Sequence, residues 1–344
     1  MATRCARPAP EAGFVFAFPG LLWFNAVIMS PLDRPLRCLL AALLAGGLAG
    51  CSINRLAVNK LGDALAGGGS GAFATDDDPE LVKAAVPFSL KLMESLLLES
   101  PEHRGLLLAS SSGFTQYAFA FVQQEADELE ARDYTAAQAM RLRAKRLYLR
   151  ARDYGLRGLE VRQKGLRAAL AADPRGALRA FKKTDTAQLY WTAAAWAAAI
   201  ALAKDDPALI AEIPQMEALI DRAAELDESW GEGAIPSFLI TYEMSRQGAS
   251  GAPAERSRRQ YDRALALAGG KQASPFVNYA EAVCVEQQDF PQFEALLQRA
   301  LAIDADATPE LRLVNLVMQR RARWLLSRKD DLFLLPAPAA KPTS

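Results

Sequence analysis

Side chains that could carry out catalysis or bind a metal ion are scarce in this sequence. The single histidine, His103, lies in a charged segment that begins at Pro101. A serine-histidine-aspartate site or a multi-histidine metal site cannot be assembled from this chain. Three adjacent aspartates, residues 76–78, could begin a calcium loop, but the remaining ligands of such a loop do not follow them. We therefore predict no catalytic residue, no metal site and no cofactor.

One cysteine thiol has a predicted chemical role, which is lipid attachment. The stretch from Leu48 to Cys51 reads Leu-Ala-Gly-Cys and resembles a bacterial lipobox, in which the thiol accepts diacylglycerol and the cysteine becomes the first mature residue. A short basic stretch and the apolar run 39–48 precede it, in the order of a secretory signal. We predict a lipoprotein signal over residues 29–50 and lipidation at Cys51. The alternative is that Cys51 merely ends a hydrophobic helix.

The segments around this signal complete the predicted N-terminal organisation. Residues 1–28 have no place in the signal, so we interpret them as an extension ahead of a true start at Met29. Residues 51–75 are rich in glycine and predict a lipidated, flexible tether. By resemblance to proteobacterial lipoproteins, an aspartate after the lipidated cysteine would favour retention in the inner membrane, and here that position is Ser52. The sequence therefore predicts a periplasmic protein anchored by lipid to the outer membrane.

Charge and composition narrow the class of the mature chain. Forty basic and forty acidic residues give a net charge of zero, and no long basic block is present to bind phosphates, so we predict no nucleic-acid partner. Alanine and leucine dominate, and apolar residues do not alternate with polar ones, which favours helices over strands. Cys284 lies alone among small apolar residues, which is typical of a buried packing residue.

Two stripes of side chains on predicted helices could form a binding surface. Phe114, Tyr117 and Phe121 fall on one face of a helix predicted over about 106–130, and they form either ordinary core or the wall of a cavity. A second predicted helical stretch, 135–172, carries a basic stripe that is either a solvated face or a partner surface, consisting of Arg143, Arg146, Arg150 and Arg157.

Helix boundaries and a recurring pattern predict the architecture. Asp78 fits an N-cap, Pro87 is expected to kink or restart the first helix, and Asp185 or Thr186 can cap an alanine-rich helix that we expect to be central and buried. Similar motifs begin at Arg222, Arg263 and Arg299, each after a helix rich in alanine and aromatic residues. This pattern predicts an all-α fold, namely a tetratricopeptide-like, α-solenoid-like array after a long N-terminal helical region.

Several stretches together resemble the T-component family of TRAP transporters, lipoproteins of tripartite ATP-independent periplasmic uptake systems. They are residues 76–82, 87–97, 113–127, 143–155, 189–196 and 320–326. The resemblance implies one helical domain over 76–335, a homo-oligomer such as a trimer, and association with a TRAP substrate-binding protein. No catalytic residue is carried over. Composition predicts a disordered tail over 336–344.

The leading hypothesis is a non-enzymatic accessory that docks the substrate-binding protein, holds a small apolar solute in a helical-repeat cavity, or does both. A tetratricopeptide-like scaffold for outer-membrane or cell-wall assembly is the first alternative, and a hydrolase with an unrecognised site is the second. The candidate cavity or partner-binding residues are aromatic, and each could equally be core: Phe114, Tyr117, Phe121, Tyr190, Trp191, Trp196 and Tyr279.

Overall fold

The computed structural model describes residues 59–63 and 71–334. The predicted signal over 29–50, the lipidation site Cys51 and the tail 336–344 lie outside the described residues. Within the predicted tether, residues 59–63 and 71–74 are helical. The described part of the chain contains helices and no strand, which confirms the all-α prediction.

The first long helix begins where the sequence predicts. Helix α1, Pro79–Glu99, is capped by Asp78, whose side chain accepts hydrogen bonds from the amides of Glu80 and Leu81 at 3.0 and 3.1 Å. Pro87 lies inside this helix and does not restart it, contrary to expectation. Val82 and Leu90 are buried on either side of the proline, so packing supports helical structure on both sides of it despite the lost hydrogen bond.

The predicted helix over about 106–130 is confirmed, with one irregularity. Helix α2, Arg104–Ala118, continues through a π-helical turn, Phe119–Gln123, into α3, Gln124–Leu129. His103 caps α2, because its Nδ1 accepts a hydrogen bond from the amide of Leu106 at 3.2 Å. The π turn adds a residue to the helical ladder and so changes which side chains face the core beyond it.

Two closely packed helices form the centre of the fold. The predicted stretch 135–172 is divided into α4, Tyr134–Arg162, and α5, Leu166–Ala172, by Gly165 at a φ of 78°. The alanine-rich helix α6, Thr186–Ala201, packs against α4 and is buried as predicted. The Asp185 side chain caps no amide of α6; it accepts instead from the backbone amide of Lys182 and pairs with Arg104 and Arg162.

Eight more helices follow in the described residues, and several of them pack in pairs. They are α7, Pro207–Ile210; α8, Ile213–Asp227; α9, Trp230–Ser245; α10, Pro253–Ala268; α11, Ser274–Tyr279; α12, Phe290–Leu301; α13, Arg312–Ser327; and α14, Lys329–Leu332. The motifs at Arg222, Arg263 and Arg299 lie on the second helices of the pairs α6/α8, α9/α10 and α11/α12. Whether these pairs form a tetratricopeptide-like array stays a prediction. The α11 helix continues into a π turn, Ala280–Cys284.

Helix α13, near the C-terminal end, packs against the first helices of the described residues. Val317 is buried in the core formed by α1, α2 and α4, and its carbonyl oxygen accepts a hydrogen bond from the Gln124 side chain at 3.4 Å. Arg312 donates to the carbonyl oxygen of Thr75 at 2.7 Å. Among the described residues, no helix is long and apolar enough to cross a membrane.

Candidate functional site

Four arginines of α4 lie over aromatic rings: Arg152 lies over Trp196 at 5.2 Å, and the other three follow one side of the helix. The guanidinium carbons of Arg143, Arg150 and Arg157 are 5.9, 5.4 and 5.3 Å from ring centroids. The arginines are spaced seven residues apart, about two helical turns, so they follow one side of the helix. A cation–π contact attracts the guanidinium without using its N–H donors. We call these three residues the arginine ladder; their rings belong, in order, to Tyr117, Phe114 and Tyr154.

The rings beneath the ladder belong to the core between α2 and α4. Phe114 and Tyr154 stack with centroids 6.0 Å apart and an angle of 12°, and Tyr117 contacts Phe121 at 5.8 Å. Phe114, Tyr117 and Phe121 are at most 8% exposed. The structure therefore brings together two features that the sequence predicts on separate helices, the aromatic stripe and the basic stripe.

An open groove runs along α4 beside the ladder. Its volume is about 410 Å³, and every residue that lines it comes from this one helix. Arg146 lies at its edge and is exposed. The concavity is therefore one face of a single helix. The lining residues are Arg146, Leu149, Arg150, Asp153, Tyr154 and Arg157.

Glu94 of α1 reaches toward the ladder and is ionised. Its carboxylate accepts a hydrogen bond from the Tyr154 hydroxyl at 2.8 Å and lies 3.5 Å from Arg150. Burial acts to raise the pKa of Glu94, but hydrogen bonds from Lys91 and Tyr154 and the charge of Arg150 hold it below its ordinary value. Burial, then the bond to Glu94, raises the pKa of Tyr154 to about 12, so this hydroxyl is a neutral donor.

Asp153 is the second acidic residue at the ladder, and it is also paired. Its carboxylate lies 3.1 Å from Arg152 and 3.6 Å from Arg167. Glu94 and Asp153 are therefore largely neutralised by cations that flank the groove. The arginine ladder keeps a surplus of positive charge.

The remaining predicted aromatic residues lie elsewhere. Tyr190 and Trp191 are half-buried and meet edge to face at 5.0 Å, and both contact Trp230. Trp196 is buried and donates from Nε1 to Glu212 at 2.8 Å. Tyr279 packs on Tyr261 and edges a separate groove of about 370 Å³. The seven candidates thus do not form one site, and their role in binding stays a prediction.

Comparison with known proteins decides the family. The model of the TRAP transporter T-component family matches residues 75–333. The chain is also 31% identical over 303 residues to a Treponema pallidum (strain Nichols) protein named only as an uncharacterized protein, a match that covers 83% of this chain and 94% of that one. The chain belongs to the TRAP transporter T-component family. This T-component is thereby associated with a TRAP transport system and with the cell envelope, as a transport accessory.

Chemically reactive groups of the T-component are engaged in packing. Cys284 is fully buried, and burial raises the pKa of its thiol to about 12, which confirms it as a packing residue. The His103 Nε2 lies 3.2 Å from the carbonyl oxygen of Asn59, so both ring nitrogens have partners. Within residues 59–63 and 71–334, no three His, Cys, Asp or Glu side chains are placed to hold a metal ion.

Sequence reasoning missed some members of the aromatic and basic clusters. Trp230 and Phe238 join Tyr190 with centroid distances of 4.8 and 6.4 Å, although they come from a different helix. Tyr154 is not among the candidate residues from the sequence, yet its ring lies under Arg157 and its hydroxyl donates to Glu94. The seven-residue spacing of Arg143, Arg150 and Arg157 is a signal that was present in the sequence.

Proposed function

We propose that this T-component is a non-enzymatic, lipid-anchored periplasmic accessory, attached to the outer membrane, that docks the substrate-binding protein of a TRAP uptake system. The family supports the link to TRAP transport. One observation carries the docking role: the aromatic residues of α2 are packed beneath a positively charged, open surface of α4. An open surface suits a protein partner better than it suits a small enclosed solute.

The chemistry of the described residues supports a non-enzymatic role. His103 caps a helix, and Cys284 holds its proton to a pKa of about 12. Neither residue is therefore free to act as a base or a nucleophile at neutral pH. Docking, in contrast, needs only a rigid surface with complementary charge and shape.

The experiment is a co-purification from the protein's own cells. The full chain carries a C-terminal tag, because the proposed lipid occupies the N-terminal side, and partners are trapped by brief chemical cross-linking and identified by mass spectrometry. We expect a TRAP substrate-binding protein to co-purify with the tagged chain. Its amount should be far above the amount that co-purifies with a tagged, unrelated lipoprotein from control cells. Recovery of outer-membrane or cell-wall assembly proteins without it would favour the scaffold alternative and reject the uptake role.

The half-buried aromatic cluster supports a second candidate, which is contact with a small apolar solute. Tyr190, Trp191 and Trp230 bring three large rings together where part of their surface remains exposed. Such rings offer a large apolar area and polar edges to a ligand. If this cluster binds solute, Trp191→Ala should abolish quenching of tryptophan fluorescence by an added hydrophobic probe while the melting temperature stays close to that of the wild type. Quenching that persists in the variant contradicts the candidate.

A further inference from the structure

We propose that the arginine ladder and Arg146 form the docking surface for an acidic protein segment, a helix or strand that carries carboxylates along one side. This proposal rests on the proposed docking function and names the chemistry of the partner at that surface. The four arginines are called the arginine face below. Its charge, its preorganisation and its length all suit such a partner.

The positive charge of the arginine face is not balanced within the described body. In residues 59–63 and 71–334, Arg143 and Arg146 form no ion pair, and Arg157 donates to the neutral carbonyl oxygen of Pro101 at 3.1 Å. Arg150 does approach Glu94, but that carboxylate also binds Lys91. Because the whole chain has equal numbers of acidic and basic residues, this surplus is local. A surface of this kind attracts a partner of opposite charge.

The guanidinium groups are held in place before any partner arrives. Three of them lie over aromatic rings, of which Phe114 and Tyr117 are buried and Tyr154 is partly buried, and α4 is a single helix of 29 residues. A long side chain normally loses conformational freedom when it binds, and prior ordering reduces that loss. Arginine also presents a planar set of donors that matches a carboxylate. The surface is therefore preorganised to bind carboxylates.

The dimensions of the row select a protein segment over a small anion or a bilayer. From Arg143 to Arg157 the helix rises about 21 Å, at about 1.5 Å per residue, which no small carboxylate can span. Asp153 lies between Arg150 and Arg157 at the groove but is paired with Arg152 and Arg167, so the arginines of the row form one narrow line of positive charge. A folded segment can place carboxylates along such a line. A membrane surface spreads its negative charge over a plane.

The test uses the purified full chain and a purified TRAP substrate-binding protein from the same organism, with affinity measured at several salt concentrations. Arg143→Glu combined with Arg146→Glu should weaken binding about 10- to 100-fold at low salt, and the salt dependence should become shallower. Arg179→Glu combined with Arg323→Glu is the matched control, because both arginines are exposed, lie outside the face and change the net charge equally. The control should change the affinity less than about 3-fold.

Two further variants separate charge from fold. Arg146→Gln removes a side chain that has no hydrogen bond or ion pair within the described residues, so the fold should persist and binding should weaken by about 3- to 10-fold. Arg150→Lys keeps the charge and loses the planar donors, and it should weaken binding by a similar factor. Circular dichroism and melting temperature verify that each variant is folded.

Each result has a defined meaning. Equal affinity of the wild type and the Arg143→Glu, Arg146→Glu variant overturns the docking surface and leaves the proposed function standing. Failure of the wild type itself to bind the substrate-binding protein overturns the proposed function, and the inference with it. Vesicles of phosphatidylcholine with phosphatidylglycerol form the last arm: binding to them that is lost in the variant, while protein binding is unchanged, assigns the face to a membrane instead.

Discussion

Replacement of Arg321 with methionine should destabilise the protein by separating α13 from the helices that it joins. Arg321 is 9% exposed, and its Nη1 donates to Asp127 at 2.7 Å while its Nε donates to Glu281 at 3.1 Å. Burial acts to lower its pKa, but the charges of Glu281 and Asp127 raise it more, so the guanidinium stays charged. The side chain also lies 4.3 Å from the Trp324 ring centroid, and methionine preserves part of that packing.

The expected loss of stability follows from what the two carboxylates can do after the change. Breaking a fully buried ion pair costs about 3–5 kcal/mol, because one charge remains unpaired. Here Asp127 keeps Arg141 at 2.9 Å, and the Glu281 side chain is 37% exposed and can be hydrated. We therefore expect the free energy of unfolding to fall by about 2–3 kcal/mol.

The assay is urea denaturation followed by circular dichroism at the helical band. Arg263→Met is the matched control: its pair with Glu228 is nearly half exposed on both sides, so it should cost at most about 1 kcal/mol. Combining Arg321→Met with Glu281→Gln should cost less than the sum of the two single changes, because they remove the same interaction. Equal losses for Arg321→Met and Arg263→Met would refute the reasoning.

Three further predictions concern close packing and buried ionisable groups. A methyl group at Gly155 would lie 2.3 Å from Thr192 Oγ1, so Gly155→Ala should lower the free energy of unfolding, measured by urea denaturation, by about 1–3 kcal/mol. Gly71→Ala is the control and should be nearly neutral, because a methyl group there meets open space. In a variant with Cys284 as its only cysteine, Ellman's reagent at pH 8 should label the thiol far more slowly in the native protein than in the unfolded protein, because the pKa of the native thiol is about 12. Fast labelling of the native protein would contradict this prediction. The pKa of Tyr154 is about 12 in the fold and 10.0 ordinarily, so its contribution to stability is complete below pH 10 and is lost as the pH rises through 12. The melting temperature should therefore fall over that interval, and less steeply in Tyr154→Phe.

Many local features could be predicted because their causes lie within a few residues. Asp78 caps α1 through the amides of the next turn, and Cys284 is buried among small apolar neighbours. The failures are also instructive. Pro87 was expected to kink or restart the first helix, but the helix does not restart there, and Asp185 pairs with two arginines rather than capping α6. In both cases contacts with distant residues outweigh a local preference.

The candidate site also has parts that the sequence predicts and a contact that it does not predict. The aromatic stripe and the basic stripe are each visible as a helical period in the sequence, but nothing local indicates that one lies on the other. Tyr117 and Arg143 are 26 residues apart, and they meet only because α2 and α4 pack side by side. The π turn Phe119–Gln123 also leaves no clear sequence signal, because a one-residue shift in hydrogen bonding follows from the packing of both flanking helices.

The sequence by itself determined the all-helical class, several helix ends and the family, since alanine and leucine content, capping residues and family motifs are properties of short stretches. Only the tertiary structure decided that α13 returns to the first helices, that Arg321 joins Asp127 to Glu281, and that the arginines of α4 lie over aromatic rings. These contacts depend on the angles and distances at which whole helices pack. Those quantities emerge from the burial of all the apolar faces together, and no single stretch of sequence encodes them.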